Sequence, residues 1–191
     1  MVPIGGTSWM LLGAAASGLC CVVVALGVGR RMGPVAGLAW GGLLWSVVVI
    51  GLVTLLPPVN HPGIVPADQH QTSCSWDIGG PSPGGFWIFG GGQQLLNALL
   101  FVPAGLVMTV AFSRWRAARV LVPLGFLLLA ALSLGIEEIQ LHVARIDRAC
   151  DVTDIIDNVS GAGIGILLGL MVLPVLRPWR ERRARRVPEI G

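Results

Sequence analysis

The chain has 191 residues, of which 54% are hydrophobic and only 12% charged, and its mean hydropathy is +0.77. A soluble domain carries about 25% charged residues, so the composition excludes that class and marks an integral membrane protein. The net charge of +3 says little, but all 13 basic residues are Arg, and where they sit along the chain says more.

Taken in order, the first apolar run is Trp9 to Gly29. At a rise of ~1.5 Å per residue it just crosses a hydrocarbon core of ~30 Å. No charge precedes it, which a signal peptide would require, so it is a span ending at Arg30 and Arg31. Cys20 follows Leu rather than a small residue, so lipidation is not expected there. A second span runs from Pro34 to Leu56 and stops at Pro57-Pro58, a pair that cannot continue a helix. Residues 57–92 form a loop rich in Pro and Gly, with His61, His70, Cys74 and no basic residue. Span three covers about Gln93–Phe112, span four Val120–Ile139 and span five Asp154–Leu176. A basic tail, 177–191, closes the chain.

The expected fold is all-α, a polytopic bundle of five transmembrane helices. It divides into two amino-terminal spans (1–56), the loop (57–92), a three-span core (93–176) and the tail. Eleven Arg (Arg30, Arg31, Arg114, Arg116, Arg119 and six in the tail) fall on one side of the membrane, against Arg145 and Arg148 on the other. Basic residues are retained in the cytoplasm, which sets the amino terminus outside and the carboxyl terminus inside. Cys74 and Cys150 then share the outer compartment, where a disulfide is permitted. No zinc-ligand spacing joins them to His61, His70 or His142, so no metal site is expected.

Asn97, Glu137 and Asn158 each lie about one turn inside a span, counted from the outer side. An ionisable group in the bilayer costs at least ~2.5 kcal/mol, so Glu137 should face other helices, and Gln140 at i+3 shares its face. Arg148, Asp151 and Asp154 follow an R-x-x-D-x-x-D spacing, and Asp154, Asn158, Gly161 and Gly165 continue along one helical face. These residues predict an outward-opening polar cluster of Asn97, Glu137, Gln140, Arg148, Asp151, Asp154 and Asn158. A plainer account has Asp151 or Asp154 capping span five, Arg148 pairing with them at the interface, and Asn158 bonding between helices. Gly161, Gly165 and Gly169 suit a close-packing seam. Asp157 and Glu138 are read as solvated at the interface, and His142 as an ordinary loop residue. The Arg-rich tail suits anionic lipid and is too short for nucleic acid.

The blocks Asn97-x-x-x-Phe101-x-Pro103-x-Gly105 and Ile136-Glu137-x-x-Gln140, with the run Arg148, Asp151, Asp154, Asn158, Gly161, Gly165, give the chain a resemblance to the VanZ-like family of bacterial membrane proteins. That family is named for a member associated with low-level resistance to teicoplanin, a glycopeptide antibiotic. The resemblance implies a multi-pass protein of the bacterial cell membrane with a link to glycopeptide susceptibility.

The leading expectation is a non-enzymatic protein, without cofactor, whose outward site binds a lipid head group or a lipid-linked wall precursor. In it Arg148 contacts phosphate, and Asp151 and Asp154 orient that Arg. The alternative is a membrane-embedded enzyme acting on a lipid or lipid phosphate. Glu137 would then be general acid or base, with Mg²⁺ held by Asp151 and Asp154. A third reading is a scaffolding subunit packing through the glycine face.

Overall fold

A computed structural model of the chain describes residues 6–56, 73–76, 78, 92–142 and 150–180, with the side chain of Gln93 left out. Its helices are α1 (Thr7–Met32), α2 (Pro34–Leu55), α3 (Gly92–Phe112), α4 (Ala118–His142) and α5 (Val152–Leu176). All five are long and apolar enough to cross a membrane, and the protein is a multi-pass membrane protein.

Local chemistry sets the helix ends. Gly33, at φ 106°, is the sole link between α1 and α2, a conformation open to residues without a Cβ, and Pro34 starts α2 where its missing N–H costs nothing. Residues 113–117 turn α3 into α4 through hydrogen bonds from Trp115 N to Phe112 O (3.1 Å) and Ala118 N to Trp115 O (3.1 Å). Asp151 is the N-cap of α5, its side chain accepting from Thr153 N at 2.8 Å. The observed helices exceed the sequence expectation most in α1 and α4, and α4 continues to His142. That residue is therefore the last of a helix rather than part of a loop, and its Nδ1 lies 2.8 Å from Glu138 O.

The interior is built by α2 to α5. Ile50, Phe101, Ala104, Met108, Leu129, Ile136 and Ala162 form one buried apolar cluster drawn from all four. Helices α3 and α5 approach each other most closely. A Cβ added at Gly161 would collide with the carbonyl oxygen of Ala98, and one at Gly165 with that of Val102. At Gly169 it would come within 2.7 Å of Thr109 Cβ. In the other direction, a Cβ at Gly105 would strike the carbonyl of Ala162. Small residues on both helices thus permit backbone-to-backbone contact, the source of packing energy available where lipid is as apolar as the side chains.

Helix α1 lies at the edge, with 6% of its most apolar window buried. It leans on α2 through Gly37 and Gly41, which sit against the backbone of Ala25, Gly29 and Cys21, and through Trp45 Nε1 donating to Ala14 O at 2.9 Å.

Candidate functional site

The polar residues gather at one end of the bundle, where α2 and α4 finish and α3 and α5 begin. Three rungs connect the helices there. Deepest, Asn158 Nδ2 of α5 donates to Ser133 Oγ of α4 at 3.0 Å. Nearer the end, Asn97 Nδ2 of α3 donates to Asp154 Oδ1 of α5 at 2.6 Å. At the level of the α5 N-cap, the backbone N–H of Asp151 donates to Glu137 Oε2 at 3.1 Å. Glu137 is only 3% exposed, so its carboxylate faces the helices and not lipid. A fourth contact ties in α2: Gln140 Nε2 donates to the carbonyl oxygen of Thr54 at 2.9 Å. The last carbonyls of a helix lack intrahelical donors, and Gln140 supplies one from a neighbouring helix.

Of the sequence-predicted residues, Asn97, Glu137, Gln140, Asp151, Asp154 and Asn158 come together in this way. Arg148 lies outside the described residues. The structure corrects the reading of Asp157 as a solvated interfacial acid: it is 0% exposed, and neither carboxylate oxygen accepts a hydrogen bond among the described residues. The reason is helical geometry. Asp157 is three residues after Asp154 and four before Gly161, so it shares the stripe that α5 turns inward. Glu138, by contrast, is exposed, as is its neighbour His142.

Two further buried acceptors are unmet among the described residues, Asn158 Oδ1 and Gln140 Oε1. Each belongs to a side chain whose amide nitrogen is already used, so among the described residues the open valences at this end are all acceptors. The described charges around them are acidic: Glu137, Asp151, Asp154 and Asp157. Such a site suits a partner rich in donors, such as hydroxyl or amine groups. Among the described residues no group of three or more His, Cys, Asp or Glu is placed to hold a metal. Asp151 and Asp154 each have an oxygen engaged with protein donors instead.

Cys74 and Cys150 are disulfide-bonded, with Cα atoms 4.6 Å apart. Beside the bond, Ser75 and Asp151 make an isolated parallel bridge, so residues 73–76 are fastened to the cap of α5.

A model of the VanZ/LLP1 family matches residues 43–173, well over half of the 191 residues. The chain belongs to the VanZ/LLP1 family. The matched stretch opens inside α2 and closes near the end of α5, so it takes in every rung described above. Helix α1 lies outside it. No curated protein and no solved structure matches the chain.

In this VanZ/LLP1 chain two contributors had no place in the sequence-predicted set. Ser133 sits four residues before Glu137 and seven before Gln140, a spacing that puts all three on one face of α4. The carbonyl of Thr54 has no such signal, because every residue carries one.

Proposed function

We propose that the polar end of the bundle faces the outside of a bacterial cell membrane and binds a lipid head group or a lipid-linked wall precursor. On this reading the protein is a binding protein rather than an enzyme, and its occupancy modulates susceptibility to teicoplanin. The observation that carries the reading is the set of unmet buried acceptors, Asp157 Oδ1 and Oδ2, Asn158 Oδ1 and Gln140 Oε1, beside the hydrogen-bonded rungs. Buried polar atoms are nearly always satisfied, and an ionisable group within a membrane span marks a functional site by default. Head groups and wall precursors offer hydroxyl and amine donors at this depth. Arg148, three residues before the Asp151 cap, supplies the bidentate donor for their phosphate.

Native mass spectrometry of the full chain, extracted with its lipids, tests this directly. The wild-type protein retains a lipid of defined mass, whereas Arg148→Ala loses it while keeping its thermal midpoint, and Asp154→Asn loses it while still folding, with a midpoint lowered by the weakened bond to Asn97. Unchanged lipid retention and unchanged teicoplanin susceptibility in both well-folded variants would falsify the reading.

A further inference from the structure

Residues 73–76 are distant in sequence from α5, yet they are fastened to the residue that begins it. Cys74 is bonded covalently to Cys150. Ser75 N donates to Cys150 O at 2.9 Å, and Val152 N donates to Ser75 O at 3.1 Å. In a parallel pairing of this kind, the residue between the two bonded ones turns its own N–H to the opposite edge. That residue is Asp151, and its N–H is the donor to Glu137 Oε2. Asp151 is therefore held from both sides, by Ser75 on one edge and Glu137 on the other.

We propose that the Cys74–Cys150 disulfide is a redox-sensitive clip that positions the Asp151 amide against Glu137, assembling the polar site when oxidised and loosening it when reduced. These two backbone hydrogen bonds do not by themselves offset the entropy of fixing a four-residue segment. The covalent bond does what they cannot. The α3–α5 seam is independent of it, since the glycine contacts at Gly161, Gly165 and Gly169 lie deeper in the bundle. Reduction thus acts on the end of the bundle and spares its middle.

The chemistry of opening follows from exposure. Cys150 is fully buried, whereas Cys74 is partly exposed, so a dithiol reductant attacks the sulfur of Cys74. A new sulfur–sulfur bond forms between the reductant and Cys74, the bond between Cys74 and Cys150 breaks, and Cys150 leaves as a thiolate that takes a proton. The second thiol of the reductant then displaces Cys74. Two electrons and two protons pass to the protein, giving two thiols, and the dithiol becomes a cyclic disulfide. The regulatory consequence rests on the ligand-binding reading above; the clip itself rests on geometry alone.

The test compares the full chain in phosphatidylethanolamine/phosphatidylglycerol nanodiscs, oxidised, reduced with dithiothreitol, and as Cys74→Ser. Amide exchange read by mass spectrometry should rise about tenfold or more at peptides containing Ser75 and Asp151–Val152 in the reduced and variant proteins, the mark of a local opening. Peptides across Gly161–Gly169 should stay protected. Carbodiimide labelling of Glu137 should rise in parallel, with Glu137→Gln as the blank, and lipid retention should fall.

Unchanged exchange and labelling on reduction overturn the clip. So does a loss of protection in all five helices together, which would make the bond a staple of the whole fold. Equal lipid retention in both redox states overturns its role in assembling the site. If the oxidised protein holds no lipid at all, the ligand-binding reading fails, and exchange at Asp151 alone decides the clip.

Discussion

The α3–α5 pair and the α1–α2 hairpin use the same packing device to different ends. In both, glycines bring two backbones together: Gly161 and Gly165 against Ala98 and Val102 in one, Gly37 and Gly41 against Ala25 and Cys21 in the other. Above the α3–α5 seam sit Asn97, Asp154, Asp157 and Asn158, whereas the α1–α2 contact leads to apolar residues and Leu19 on α1 is 72% exposed. The family match covers α3 whole and α5 as far as residue 173, and it excludes α1. Glycine spacing alone therefore marks a contact; glycine spacing continued by inward polar residues marks a site.

The comparison breaks most severely at the seam itself. Gly165→Leu should cost at least ~3 kcal/mol, because its neighbour is backbone and cannot repack. A collapse in yield and thermal midpoint in detergent would register it, whereas Gly37→Leu should peel α1 away and leave lipid retention intact. Next, Asn97→Ala removes the charge-assisted bond to Asp154 and should lower stability by about 1.5–3 kcal/mol, measured by thermal unfolding alongside lipid retention. Asp157→Asn should act in the opposite direction. Removing a buried charge that has no partner among the described residues raises stability by ~1–2 kcal/mol, while bound lipid decreases; a lowered midpoint would show that Asp157 has a structural partner. Asp151→Ala loses the α5 cap and about 1 kcal/mol, yet retains the backbone N–H that meets Glu137. Least of all, Leu19→Ala on the exposed face of α1 should stay within about 0.5 kcal/mol of wild type.

Much of this was legible in the sequence because membrane spans are declared by long apolar runs, and the five helices fall where those runs lie. The depth argument likewise brought Asn97, Glu137 and Asn158 to one end, and the Asp154-to-Gly165 stripe gave the face of α5. Asp157 was misread for want of one step: a residue at i+3 from Asp154 and i−4 from Gly161 belongs to that stripe as much as Asn158 does. The main-chain groups that meet Glu137 and Gln140 were not legible at all. Both are backbone groups, the Asp151 amide and the Thr54 carbonyl, and a main-chain donor or acceptor has no letter in a sequence. Only the path of the chain, fixed by the disulfide and the end of α2, aims them.

Cys74 and Cys150 are 76 positions apart, and α3 and α4 both lie between them. The bond makes a covalent ring with two membrane crossings in its circumference. Such a ring closes only when the number of crossings is even, since an odd number strands the two sulfurs on opposite faces of the bilayer. It also cannot close until both helices have been synthesised and Cys150 has emerged. The bond is therefore a chemical record that the α3–α4 hairpin completed its passage, written at the residue just before the Asp151 cap of α5.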